Sequence, residues 1–249
     1  MIPLSDDPGV RRRIPFVNYT LIAINVAAFI LEYTQGTCFQ LAYSAVPYGI
    51  VHGVSLPIQG CPYGQAAPVY VTLLTAMFLH AGLLHIAGNM LFLWIFGDNV
   101  EDRLGHVGYL VFYLFCGFVA SAAQIAVDPN STIPTLGASG AIAGVLGAYI
   151  VFYPGARVRT LIFLGFFITM ARLSALIVIG MWFVLQLADA FLSQPVSQGG
   201  GGVAYFAHIG GFVAGLLIAL LVRPFTKPPK PNATSYPYWP AHQDMRRMG

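Results

Sequence analysis

Charge is what this chain has least of. Only 8% of its 249 residues are Asp, Glu, Lys or Arg, against about 25% in soluble domains. In their place, 57% of the residues are hydrophobic and the mean hydropathy is +0.72. An ordinary soluble domain is excluded, and a polytopic membrane protein fits. Basic residues are missing over one long stretch: none lies between Arg13 and Arg103. Cysteine is restricted to Cys38, Cys61 and Cys116. No HExxH or CxxC pattern occurs, so no metal and no other cofactor is expected. A cleavable signal peptide is not expected either, because the N-terminus (MIPLSDDPGVRRRIP) is polar and the apolar run behind it is long enough to span.

The basic residues that are present orient the chain. They are Arg11, Arg12, Arg13, Arg103, Arg157, Arg159, Arg172, Arg223, Lys227, Lys230, Arg246 and Arg247. Short loops carrying Lys and Arg stay on the cytoplasmic side. Applied along the chain, this rule predicts six helical spans, at 16–34, 80–97, 107–126, Gly137 to Tyr153, 173–192 and 203–222. Both termini fall inside. Loops 35–75 and 127–136 lack basic residues and fall outside. The apolar stretch between Arg159 and Arg172 has only about 12 residues, and a span needs about 20. It is predicted to be interfacial or re-entrant. SQPVSQGGGG is predicted to be a flexible outer loop, and the proline-rich tail from 224 to be disordered.

Cys38 and Cys61 share the first outer loop, where an oxidising exterior permits a disulfide. Two free thiols is the alternative. Cys116 reads as packing in the third span, and Asn130-Ser131-Thr132 is an outer-side sequon.

Polar groups inside spans are costly and mark function. Here they are His80, His85 and Asn89 in FLHAGLLHIAGNM, Ser139 in TLGASGAIAGVLGAY, His208 in FAHIGGFVAG, and Asp189 near the outer end of span five. Spans two, four and six all run from outside to inside. At 1.5 Å per residue, His85, Asn89, Ser139 and His208 come within roughly 10 Å of the outer boundary. Ser139, Ala143 and Gly147 share a face of span four, and His208, Gly211 and Gly215 share a face of span six. Small residues at this spacing let membrane helices approach closely, which would bring the hydroxyl to the imidazole. A lone membrane serine more often bonds back to its own helix. Ser, His, His and Asn at one depth are harder to explain that way. His80 and His85, five residues apart, would lie on different faces of a helix, which argues against a metal site.

A neutral histidine beside a serine can take its proton and make it an acyl-transfer nucleophile. No obvious carboxylate completes a triad, and Asp189 reads as a hydrogen-bonding or packing group of span five rather than a direct catalytic one, so a dyad is expected. The oxyanion would find donors in the Ser139 amide at a helix start, the Asn89 side chain and the His85 ring. Gly137 and Ala138 precede the nucleophile and support it. The glycine-rich loop 198–202 could serve as a lid.

These residues together resemble the rhomboid intramembrane serine proteases. The motifs are GASG with Ser139, AHIGGFVAG with His208, HAGLLHIAGN with His80, His85 and Asn89, and GDNVEDRLG with Glu101 and Arg103. The resemblance spans residues 15–223. It implies an all-α membrane fold, a six-transmembrane-helix rhomboid bundle with a long first outer loop. It also implies a Ser139–His208 dyad that cleaves single-span membrane proteins in or near the outer end of their helix. Glu101 and Arg103 would tie the inner ends of spans two and three, and His80 would hydrogen-bond in support of the first loop. Residues 1–14 would be a cytoplasmic segment, 15–223 the protease domain, and 224–249 a disordered cytoplasmic tail.

The partners implied are single-pass substrates and the lipid bilayer, with no nucleic acid. The location implied is a bacterial cell membrane, with the site opening outward. Two positions depart from the family pattern. Ala143 stands where an aromatic residue often supports the histidine, so another group must do so. Val71-Thr72 stands where a Trp-Arg pair is common. The readings from other classes are an inactive rhomboid-like binder of membrane proteins and a small transporter. The topology has its own test. A tag inserted in loop 193–201 is expected to react with an impermeant label from outside, and a C-terminal tag is not. The opposite pattern reverses the orientation.

Overall fold

The computed structural model describes residues 1–7, 13–58, 60, 61, 64, 66–164, 167–192 and 204–227. The glycine-rich loop 198–202, Arg11, Arg12 and the tail beyond residue 227 lie outside the described residues.

The chain opens with strand β1 (Ile2–Asp7) and continues into helix α1 (Phe16–Gln35). The first loop folds into short helices α2 (Thr37–Tyr43), α3 (Pro47–His52) and α4 (Thr72–Thr75). Helix α5 (Leu83–Phe92) runs through a π-helical turn, Leu93–Gly97, into α6 (Asp98–Leu104). Then come α7 (His106–Val127), α8 (Ser139–Phe152), strands β2 (Arg157–Leu164) and β3 (Phe167–Ser174), α9 (Ala175–Leu192) and α10 (Tyr205–Val222). Among the described residues, four helices are long and apolar enough to cross a membrane: Phe16–Gln35, Leu83–Leu104, His106–Val127 and Tyr205–Phe225. Two shorter apolar helices, Ser139–Phe152 and Ala175–Ala190, accompany them.

Helix α8 is short because it is central. Nearly all of its residues are buried by protein, as expected of a helix that is apolar on every side. Its contact with α10 is made by main chain. A Cβ added to Gly211 would overlap the Gly140 carbonyl, and one added to Gly215 would overlap the Gly144 carbonyl. Only glycine permits this approach. The pairs 140/211 and 144/215 advance together, so the two helices run parallel. On α10 the contacting glycines are those on the histidine's predicted face. On α8 the contact runs through Gly140 and Gly144 rather than along the Ser139–Ala143 line, with Gly147 closing against Phe212.

The all-α expectation is corrected by a three-stranded antiparallel sheet in the order β1–β2–β3. The stretch 159–171, expected to be interfacial or re-entrant, is the greater part of a β-hairpin. The N-terminal segment supplies the third strand, pairing Ile2 with Leu161 and Asp7 with Arg157. The physical reason is a period of two: Val158 and Thr160 are buried while Arg157 and Arg159 face out. The span expected at 80–97 also shifts. The helix starts only at Leu83 and runs on to Leu104, because Asp98, Asn99, Glu101, Asp102 and Arg103 are buried among partners rather than left in lipid.

Glu101 is the chief of these. It is fully buried and accepts the Val17 and Asn18 amides at 3.0 and 2.7 Å and His106 Nδ1 at 2.5 Å. Its carboxylate therefore satisfies the open N-terminus of α1, where backbone donors lack partners and negative charge is favoured. Asn18 in turn donates to the Leu93 carbonyl at the π turn (3.0 Å) and accepts from Tyr109 (2.8 Å), joining α1, α5 and α7. Arg103 reaches elsewhere. It donates to Thr226 Oγ1 at 2.9 Å and lies 4.8 Å from the Phe152 ring centre, so it links the ends of α8 and α10. Each buried donor deprived of its acceptor costs about 1–3 kcal/mol. Glu101→Ala, which orphans two amides, is expected to lower the thermal midpoint in detergent well below that of Glu101→Gln. Equal midpoints for the two variants would contradict this role.

Candidate active site

Ser139 is the first residue of α8, and His208 lies in the first turn of α10. The backbone contact between these helices sets Ser139 Oγ 2.7 Å from His208 Nε2. His208 is buried and its other nitrogen, Nδ1, lies 2.5 Å from Gln186 Oε1 on α9. An amide oxygen only accepts, so Nδ1 carries the ring proton. That leaves the Nε2 lone pair for the serine hydroxyl, which is the tautomer a general base requires. Trp182, one turn before Gln186, packs its ring 5.8 Å from the His208 ring at 40°. Trp182 and Gln186 supply the support that Ala143 cannot.

His85 also stands close to the serine. A Cβ on Gly137 would lie 3.0 Å from His85 Cε1 and Nε2 and 3.4 Å from Ser139 Oγ. The imidazole, the glycine and the hydroxyl therefore crowd one spot. The Ala81 amide donates to His85 Nδ1 at 3.3 Å, so the proton sits on Nε2, the atom turned toward Gly137. Gly137 adopts φ +131°, which side-chain-bearing residues rarely accept. Asn89 is one turn beyond His85 on the same face. It is buried, and its Nδ2 has no hydrogen-bond partner among the described residues. A buried unpaired donor is uncommon and calls for a reason.

The first loop holds this arrangement in place. Cys38 and Cys61 form a disulfide within it. Ala45 pairs with Thr135, and the Gly137 amide donates to the Ala76 carbonyl at 2.8 Å, fixing the approach to Ser139. His80 precedes α5 instead of lying in it, so its spacing to His85 is not helical. The two rings meet edge-on at 5.1 Å. The supporting bonds of His80 fall on its main chain. Its amide donates to Glu32 at 3.0 Å, and its carbonyl accepts from Gln40 at 2.8 Å.

A cavity of about 40 Å³ lies beside the serine, lined among others by Met77, Ser121, Thr135, Gly137 and Ala207. A water needs about 10–15 Å³ on this measure. Asp189 is exposed on α9, and Gln186 is the residue that meets the histidine. Among the described residues, no group of three or more His, Cys, Asp or Glu could hold a metal.

Three residues of this arrangement carry no strong sequence signal. Glu32 reads as a charge at a helix end, and Gln186 and Trp182 as members of an apolar span. The spacing of Trp182 and Gln186, one helical turn apart on the span facing His208, is the only clue.

The fold and the site define a membrane-spanning helical domain with a partly buried serine–histidine contact. The Rhomboid domain family model matches residues 68–225, and the chain belongs to the rhomboid family. It is similar to Rhomboid protease GluP of Bacillus subtilis, 30% identical over 205 residues, covering 82% of this chain and 34% of that protein. It is also similar to Rhomboid-like protein 11, chloroplastic, of Arabidopsis thaliana, 28% identical over 163 residues, with 64% and 54% covered. A third relative, Rhomboid protein 1, mitochondrial, of Saccharomyces cerevisiae, is 26% identical over 151 residues, with 59% and 40% covered. The chain thus spans from about a third to about half the length of these relatives.

Proposed function

We propose that this protein is an intramembrane serine endopeptidase that cuts single-span membrane proteins in or near the outer end of their transmembrane helix. The observation that carries this reading is the 2.7 Å contact of Ser139 Oγ with a His208 whose other nitrogen is already engaged by Gln186. Family membership and the similarity to a protein named as a protease support it.

In the proposed reaction, Ser139 Oγ attacks the scissile carbonyl as its proton passes to His208 Nε2. The oxyanion is met by the Ser139 amide, the His85 Nε2–H and the idle Asn89 Nδ2, all of them polar donors in a water-poor site. His208 then gives its proton to the leaving amine. A water from the small cavity, activated by the same nitrogen, releases the acyl group. Gln186 is a positioning residue: it holds the ring and its tautomer and does not touch the reacting atoms.

The reading includes six spans: α1, α5 with α6, α7, α8, α9 and α10. The parallel run of α8 and α10 supports it. The basic residues at the ends of α6, α8 and α10 support an orientation with that end inside, both termini cytoplasmic and the site facing out, in a bacterial cell membrane.

The test is cleavage of a single-span reporter by purified protein in micelles and vesicles. Ser139→Ala and His208→Ala are each expected to abolish cleavage while thermal midpoints stay near wild type. Cleavage by Ser139→Ala at the wild-type rate would overturn the mechanism. Asn89→Ala is expected to lose about 10²–10³ in kcat, the usual cost of one oxyanion donor.

Gln186 makes a separate case. Gln186→Leu is expected to lower kcat with little change in KM, and Gln186→Glu to restore only part of it, since an ionised carboxylate would favour a protonated imidazole at rest. An acceptor at this position is what fixes the tautomer, so Leu and Glu variants of equal rate would remove Gln186 from the mechanism.

A further inference from the structure

The outward face of the sheet is used by none of this chemistry. Val158 and Thr160 of β2 are fully buried, so the alternate residues Arg157, Arg159, Leu161 and Phe163 face away from the bundle. The register sets Arg159 directly across from Arg172, Leu161 from Met170, and Phe163 from Ile168. Strand β1 extends two of these rows, placing Ser5 beside Arg159 and Ile2 beside Leu161. One face is therefore sharply divided. A row of Ser5, Arg159 and Arg172 borders apolar rows of Ile2, Leu161, Met170, Phe163 and Ile168. The apolar rows are open, with Met170 71% and Ile168 63% exposed.

Like charges directly opposite across strands are destabilising. Arg157 has Asp7 across from it, but Arg159 and Arg172 have each other, and neither has an ion-pair partner among the described residues. The apolar rows are disfavoured in water, and the outer edge of β3, paired by no further strand among the described residues, is disfavoured in hydrocarbon. Unsatisfied backbone groups there cost several kcal/mol each. The headgroup boundary satisfies both, with arginines at the phosphate level and apolar side chains at the top of the acyl region.

We propose that this face is a binding site for an anionic phospholipid. The phosphodiester lies between Arg159 and Arg172, whose guanidinium forks suit bidentate contact with phosphate oxygens, and Ser5 Oγ donates beside them. The acyl chains run along Ile2, Leu161, Met170, Phe163 and Ile168. The site has a structural consequence. The hairpin joins the end of α8 to the start of α9, where the Ala175 amide donates to the Ala156 carbonyl at 2.9 Å. A held lipid thus anchors the base of the helix that carries Trp182 and Gln186.

The experiment reads lipid, not cleavage, and stands whatever the outcome for Ser139. The full chain in maltoside micelles is titrated with phosphatidylglycerol, with phosphatidylcholine of the same acyl chains, and with inorganic phosphate. Bound lipid is counted by native mass spectrometry and the thermal midpoint is followed. Phosphatidylglycerol is expected to stay bound and raise the midpoint, and the other two are not. R159Q/R172Q is expected to bind phosphatidylglycerol at least tenfold more weakly, and R159K/R172K to fall between. Three outcomes overturn the proposal: undiminished binding by R159Q/R172Q, equal retention of phosphatidylcholine, or a midpoint rise with inorganic phosphate alone. If R159Q/R172Q does not fold, Met170→Asp tests the apolar half at an exposed position. Its affinity for phosphatidylglycerol is expected to fall as well, and unchanged affinity overturns the proposal.

Discussion

Two helix backbones in contact set the terms for the rest of this structure. Gly211 and Gly215 of α10 lie on the carbonyls of Gly140 and Gly144 of α8 with no side chain between. In lipid there is little hydrophobic drive for helices to associate, and close van der Waals packing takes its place. This contact fixes separation and also register. Ser139 sits just before the first glycine of one pair, and His208 one turn before its partner. A slip of one residue would swing the imidazole by about 100° around the helix axis and away from the hydroxyl. The geometry of the serine–histidine contact is thus a by-product of packing that involves neither side chain.

A membrane domain must also answer every buried backbone group without water, and this one uses two glutamates at opposite ends to do so. Glu101 takes the amides that open α1, and Glu32 takes the amide of His80. A carboxylate offers several acceptor positions, so one side chain can close a whole helix start or a bend. The second of these has a functional reach. Glu32 and Gln40 hold the His80 main chain, the His80 ring abuts His85, and His85 lies against Gly137 beside the serine. The first loop is therefore part of the site's frame, as its pairing with residues 131–137 also shows.

What could be read from the sequence follows from which signals are local. Ser139, His208, His85 and Asn89 stand out because each is polar in an apolar run, and the arginine pattern orders the runs. The close approach of α10 was legible in Gly211 and Gly215. The matching face of α8 was not, because Gly140, Ala141, Ala143, Gly144 and Gly147 make more than one face small, and only packing chooses between them. The hairpin is hidden for a different reason. The length of 159–171 argues only against a span, and the strand signal is brief: Val158 and Thr160 alternating with arginines. Its pairing with β1 is beyond local reading, since Asp7 and Arg157 are far apart in sequence. Asp6 meeting Tyr149 at 2.6 Å belongs to the same non-local class. Gln186 and Glu32 were hidden because their roles depend on the helix that packs beside them.

That the histidine's orienting partner is an amide rather than a carboxylate has a physical logic. A buried carboxylate would stabilise the imidazolium of the proposed attack, but it would have to be ionised among apolar helices. Desolvating such a charge costs several kcal/mol, and its attraction would hold the proton on the imidazole in the resting state. Gln186 carries no charge to desolvate. Its Oε1 selects the Nδ1-protonated ring, and in the proposed reaction its dipole strengthens toward the positive ring only as the proton arrives. Trp182, whose ring is tilted against the same imidazole, can stabilise a cation through its π system and is apolar enough to rest in lipid. Together they give the histidine a resting state that is neutral and aligned, and a charged state that is tolerated. In the proposed reaction, those are the two properties that the residues beside the base have to provide.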